Sequence, residues 1–162
     1  MNLDKILSKK IFTVTKQSPL FSRLAIFGAE KLFWFLAIPA LILSIISGKF
    51  IVTFLTVILA WILQLAIAYL LSRRRPFEQD HAKPLMKLSC NTPAFPSGHT
   101  TISCAGAAAV FVYDPFWGSL FFVLAALVAF CRIAVGVHYF SDIVGGAVLG
   151  ITVAVSITKL IG

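Results

Sequence analysis

The chain has 162 residues, 59% of them hydrophobic and only 12% charged, and its mean hydropathy is +0.96. That composition belongs to the membrane class and leaves no soluble domain to present a groove-reading element, so no nucleic-acid partner is expected. The net charge of +8, from 14 Lys+Arg against 6 Asp+Glu, fits basic residues that flank membrane spans and face anionic lipid headgroups.

In chain order, residues 2–16 place Leu3, Ile6, Leu7, Ile11 and Val14 at helical spacing among lysines. This predicts an amphipathic helix lying in the membrane interface. The segment has neither the continuous apolar core nor the small-residue cleavage site of a signal peptide. Pro19 ends it. A first span is expected over about residues 24–46, with Pro39 as a tolerated kink and Ser47-Gly48 as its stop. A second follows over about residues 50–71. Residues 72–96 are then polar, and Pro76, Pro84, Pro93 and Pro96 rule out a long helix there.

A third helix starts near Ser97 and runs through the small-residue stretch 103–109 to about Val112. Such residues allow close helix–helix approach in lipid. Tyr113-Asp114-Pro115 turns the chain into a fourth span over about 116–135, which Gly136 breaks. A fifth covers about 139–160 and carries Gly145, Gly146 and Gly150 on a close-packing face. The expected fold is an all-α, polytopic membrane helical bundle: about five transmembrane helices plus an N-terminal interfacial amphipathic helix. Residues 1–162 form one domain, with 1–19 the interfacial part and 24–162 the bundle. Five spans put the connections 72–96 and 136–138 on the same side of the membrane.

Three polar islands fall at that side: Arg75-Pro76, Ser97-Gly98-His99, and Arg132 with His138 and Asp142. Charged groups at helix ends are costly to desolvate, so these clusters are functional candidates. Asp142 lies four residues after His138, and on a helix beginning near His138 the two would share a face. An aspartate bonded to one imidazole nitrogen fixes the tautomer and leaves the other nitrogen free to attack. Ser97-Gly98-His99 sits where a helix begins: free N–H groups there bind phosphate oxygens, Gly98 permits close backbone approach, and Ser97 can add a hydroxyl. His99 is placed to protonate a departing oxygen as general acid. Arg75 and Arg132 offer planar forks for phosphate oxygens. Two guanidiniums answer the charge of a transferring phosphoryl group. Arg73 and Arg74 either join that set or contact headgroups.

No metal site and no cofactor are expected, because the acids other than Asp142 are scattered and lack metal-site spacing. Cys90, Cys104 and Cys131 show no zinc or redox spacing, and Cys104 and Cys131 sit in apolar stretches as small core residues. His81 belongs to a solvated loop. A channel or transporter, the competing class, would carry its polar groups in mid-span at broken helices.

The three islands resemble the three-part signature of the type 2 phosphatidic acid phosphatase superfamily, whose pattern is KxxxxxxRP, PSGH and SRxxxxxHxxxD. Arg75-Pro76, Pro96-Ser97-Gly98-His99 and Arg132-x5-His138-x3-Asp142 match it in order and spacing. The resemblance implies a metal-independent helical membrane phosphatase acting on a lipid phosphate among membrane lipids. It further implies that His138 forms a phosphohistidine and that His99 is the acid. Two positions depart from the pattern: the first-motif lysine falls at Ala68, so Arg73 or Arg74 is the candidate replacement, and Cys131 stands where the family has serine. The short chain and its Arg75-Pro76-Phe77 corner are similar to bacterial undecaprenyl-diphosphate phosphatases of this superfamily, while phosphatidylglycerophosphate, phosphatidate and lipid A phosphatases share the motifs.

Two arguments conflict over the face on which the site lies. With the three arginines at 73–75 set aside, lysines and Arg23 on the site's side still outnumber Lys49 and Lys159 on the other, which argues for the cytoplasm. Carrier-lipid recycling, implied by the resemblance, argues for the outward face. The motifs are the more specific signal, and the outward face is the expectation.

Overall fold

The computed structural model describes residues 3–80, 83–87 and 92–161. The expectations for His81 and Cys90 lie outside the described residues. Eight helices are present among them: α1 (Leu3–Gln17), α2 (Pro19–Glu30), α3 (Leu32–Ile46), α4 (Phe50–Leu71), α5 (Pro76–Asp80), α6 (Gly98–Tyr113), α7 (Pro115–Ala134) and α8 (Phe140–Ile161).

Local chemistry sets the boundaries. Ser18 caps α2 through its hydroxyl, which accepts from the Phe21 N–H at 3.4 Å, and Pro19 occupies the first turn. Asp114 caps α7 in the same way, accepting from Trp117 N–H at 3.1 Å ahead of Pro115. Gly48 at φ +66° and Gly136 at φ +80° make the turns expected of them. The expected first span is broken: Lys31 ends α2 and precedes α3. The charged pair Glu30-Lys31 is therefore not carried through the lipid inside one unbroken helix.

Four stretches are long and apolar enough to cross a membrane: Pro19–Ile46, Phe50–Gln79, Pro115–Ala134 and Phe140–Ile161. The expected third span, α6, has only 16 residues. It falls short of the length of those four, yet it runs through the centre of the bundle from the 72–96 side to the Asp114 turn, packed most extensively on α8 and α7 and also on α4 and α3. Residues 103–110 along it are all buried. Small side chains permit that crowding. A Cβ added at Gly150 would meet the Thr101 carbonyl oxygen and come within 2.9 Å of Ala105 N, and one at Gly146 would lie 2.8 Å from the Ser97 carbonyl oxygen. Backbone contacts backbone along this seam, as the glycine spacing predicts.

The apolar core runs along the same axis. Leu36, Cys104, Val110 and Phe121 join α3, α6 and α7. Ala25, Ala29, Ala134 and Val137 join α2 to the C-terminal end of α7. Large apolar residues such as Ile46, Leu70, Phe116 and Leu160 point outward and are exposed, as lipid-facing residues are. The chain is a multi-pass membrane protein. Its N-terminal helix α1 packs on α2, α7 and α8 with Leu3 and Val14 exposed.

Candidate active site

The end of α4, the start of α6, the end of α7 and the start of α8 meet at one end of the bundle. A cavity of about 570 Å³ opens there. Arg75, Gly98, His99, Arg132 and His138 all line it, so the three polar islands converge.

His138 lies in the turn between α7 and α8 and is 2% exposed. Its Nδ1 is 2.9 Å from the Ala94 carbonyl oxygen and 3.5 Å from Asp142 Oδ2. A carbonyl can only accept, so Nδ1 carries the proton and Nε2 keeps its lone pair. Burial first, then the Arg132 and Arg75 charges, push the His138 pKa well below the usual histidine value, against the opposing pull of the Ala94 bond. Both effects favour the neutral imidazole, the form that can use Nε2 as a nucleophile.

Asp142 is fully buried in the first turn of α8, where a negative charge is favoured. Its Oδ2 accepts from Tyr139 N–H at 2.8 Å and its Oδ1 from Arg73 Nη1 at 2.7 Å. Its backbone carbonyl accepts from Ser97 N–H at 3.0 Å, which fixes the start of α6 against the start of α8.

Arg75 is 5% exposed. Its Nε donates to the Thr92 carbonyl at 2.9 Å, Nη2 to Thr92 Oγ1 at 3.1 Å, and Nη1 to the Val137 carbonyl at 3.2 Å. Arg132, in the last turn of α7 where a cation is favoured, donates from Nη1 to the Ala29 carbonyl at 3.4 Å. Both forks are held in place beside His138. His99, in the first turn of α6, packs edge-on against Phe33 at a centroid distance of 5.3 Å.

Not every predicted residue reaches the cavity. Ser97 is fully buried and its hydroxyl accepts from Thr100 Oγ1 at 3.1 Å; it does not line the cavity. Arg74 is exposed and Arg73 half-buried, and neither lines it. Arg73 turns away to Asp4, Ser141 and Asp142. Ala68, where the family pattern has lysine, is fully buried on α4.

Other residues line the cavity without having been singled out. Lys31 and Lys87 add two cations. Gln64, buried in α4, donates to the Pro96 carbonyl at 3.0 Å, and its side-chain oxygen would lie 3.2 Å from a Cβ at Gly98. A polar side chain inside an apolar span was the signal for it. Phe33, Trp34, Trp61 and Leu65 form an apolar wall. The Ala94 carbonyl left no signal, because any residue supplies one.

The family model described as the PAP2 superfamily matches residues 40–162. The undecaprenyl-diphosphatase of Sulfolobus acidocaldarius is 27% identical over 101 residues, covering 59% of this chain and 49% of the relative, so the chain spans about half that protein's length. The putative undecaprenyl-diphosphatase YbjG of Escherichia coli is 28% identical over 155 residues, covering 92% of this chain and 78% of the relative. Among solved structures, Aquifex aeolicus LpxE superposes with a TM-score of 0.78 at 24% identity, covering 98% of this chain and 96% of the other. The first transmembrane PAP2-type phosphatidylglycerolphosphate phosphatase from Bacillus subtilis gives 0.71 at 22%, covering 97% and 83%. The two superpositions establish a shared fold.

Proposed function

Because this chain belongs to the PAP2 superfamily, we propose that it hydrolyses a lipid-linked diphosphate, undecaprenyl diphosphate, through a phosphohistidine at His138. The observation that carries the reading is one cavity in which Arg75, Arg132 and His99 surround a buried His138, beside an apolar wall of Phe33, Trp34 and Trp61. The arginines take the terminal phosphate oxygens, and the wall takes the first part of the lipid chain. Nε2 of His138 attacks the terminal phosphorus. The bond from phosphorus to the bridging oxygen breaks, and His99, protonated once the bound phosphate offsets the Arg132 and Arg75 charges beside it, gives that oxygen its proton, releasing the lipid monophosphate. Water then attacks the phosphohistidine, with His99 taking its proton back, and inorganic phosphate leaves. Asp142 and the Ala94 carbonyl keep the imidazole oriented throughout.

The residues supply the transition-state charge themselves, through two guanidiniums, and the reaction is read as needing no metal. Purified protein in detergent is expected to release phosphate in excess EDTA, and His138→Ala to lose that activity. Turnover surviving in that variant removes His138 as the nucleophile.

The diphosphate is favoured over a monoester lipid because the two relatives quoted carry that substrate in their names and because Lys31 and Lys87, against Glu30, add net positive charge to the same cavity. A side-by-side panel of undecaprenyl diphosphate, phosphatidylglycerophosphate, phosphatidate and a lipid A phosphate checks this; undecaprenyl diphosphate as the poorest substrate sinks it. The same reading places the site on the outward face. A maleimide probe on Lys83→Cys, in a chain lacking its native cysteines, is expected to label in intact cells. Labelling only after permeabilisation reverses the orientation.

A further inference from the structure

Arg73 sits in the first-motif arginine run yet points out of the cavity, and what it does there is visible in its partners. Its Nη1 donates to Asp142 Oδ1 at 2.7 Å and to Ser141 Oγ at 2.6 Å, while Nη2 donates to Asp4 Oδ2 at 2.8 Å. Its guanidinium lies over the Tyr139 ring, 4.5 Å from the centroid. Asp4, on α1, accepts twice more, from Ser141 N–H at 2.9 Å and Ser141 Oγ–H at 2.6 Å. Ser8, one turn on, accepts from Phe140 N–H at 2.9 Å. Two residues of the N-terminal helix thus satisfy the first free N–H groups of α8, a task that a helix's own preceding residues usually perform. Burial alone would raise the Asp4 pKa, but the Ser141 and Arg73 bonds outweigh it and keep the carboxylate below its ordinary range, ionised.

We propose that Asp4 and Arg73 are positioning residues for the phosphatase reaction: together they clamp Asp142, and through it His138, so that α1 is a working part of the active site. The proposal rests on the reading of His138 as nucleophile with Asp142 orienting it. Asp142 is buried and has Arg73 as its charged partner at 2.7 Å. Asp4 balances that cation and fixes where its fork points. Without Asp4, Arg73 is free to follow other anions, and without Arg73 the Asp142 carboxylate loses the bond that holds Oδ1 away from the imidazole. Neither residue touches the cavity that holds substrate.

The test is a kinetic cycle on the full chain in detergent, with His138→Ala as reference. Asp4→Asn and Arg73→Ala are each expected to lower kcat on the order of ten- to a hundredfold, with KM within about twofold of the parent. Arg73→Lys keeps the charge and is expected to regain most of the loss. The double variant Asp4→Asn with Arg73→Ala is expected to be no slower than the worse single one, because both act through one contact. Should Arg73→Ala aggregate, Arg73→Gln takes its place in the cycle. A raised KM at unchanged kcat for Arg73→Ala overturns the proposal and makes Arg73 a phosphate ligand. Parental kcat in Asp4→Asn, or losses that multiply in the double variant, also overturn it. Turnover persisting in His138→Ala brings down the underlying reading. An inactive His138→Ala beside a fully active Asp4→Asn removes only the clamp.

Discussion

Asp142→Asn separates two roles that an aspartate beside a histidine can play. If Asp142 set the tautomer of His138, its amide replacement would present a donor to Nδ1, and a base held in the wrong tautomer loses about 10⁴-fold in turnover. The structure assigns the tautomer to the Ala94 carbonyl, at 2.9 Å against 3.5 Å for Asp142. Beyond helping to orient the ring, what Asp142 then contributes is charge. On the proposed mechanism the imidazole becomes cationic as Nε2 bonds to phosphorus, and a carboxylate 3.5 Å away stabilises it. At an effective dielectric of about 20, that attraction is at most about 5 kcal/mol. Arg73, 2.7 Å from the other carboxylate oxygen, offsets part of it. About 2–3 kcal/mol remains, a loss of roughly 30- to 150-fold in kcat on substitution. In Asp142→Asn the Arg73 charge keeps Asp4 as its partner, so no unpaired cation is left behind. Phosphate release under saturating lipid diphosphate gives kcat directly. A loss of 10⁴ or more would refute the Ala94 assignment, and no loss at all would remove Asp142 from the reaction.

Arg75→Ala is expected to abolish nearly all turnover, whereas Lys87→Ala raises KM severalfold and leaves kcat close to the parent's; equal effects from the two would count against Lys87 as a peripheral phosphate contact. His138 has its pKa depressed in the folded protein, so below the ordinary histidine value of about 6.5 the unfolded chain takes up a proton that the folded site refuses, and stability falls as pH falls. Thermal melts of the parent from pH 7 to pH 5 are therefore expected to lose about 1.4 kcal/mol more per pH unit below 6.5 than those of His138→Asn, and parallel curves would show that the group is not held neutral. Gly150→Ala drives a methyl group into the Thr101 carbonyl on α6, at a cost of about 1–3 kcal/mol, and a melting temperature in detergent that does not fall would mean the α6–α8 seam is looser than described.

Much of this arrangement was legible in the sequence because the signals are local. The second span matches α4 residue for residue, bounded by Gly48 before it and by Ser72, in the left-handed region, after it. The glycine and alanine runs of α6 and α8 announced a close seam, and the three islands converge as the count of spans requires. The break at Lys31 was missed, although a Glu30-Lys31 pair about a third of the way into the predicted span is costly in lipid unless the helix ends there. What the sequence did not disclose depends on distant backbone. Asp4 and Arg73 lie 69 positions apart, and no spacing rule links them. The i,i+4 relation correctly paired His138 with Asp142, but α8 begins at Phe140, two residues later than the face-sharing argument needs. The imidazole is therefore left to a carbonyl 44 positions earlier in the chain.

The shortness of α6 bears on how a bilayer-dissolved molecule would reach His99 and His138. One residue, Asp114, joins α6 to α7, so the two helices set out from nearly the same depth on the far side. At 1.5 Å per residue, the 20 residues of α7 outreach the 16 of α6 by about 6 Å. Gly98 and His99 therefore end below the rim that the neighbouring helices form. On the proposed reading, a lipid phosphate has to sink out of the headgroup plane to meet them, taking the top of its chain past Trp34 and Trp61. Bilayer thickness then becomes a variable of the enzyme itself, because a thicker membrane deepens the descent and a thinner one shortens it.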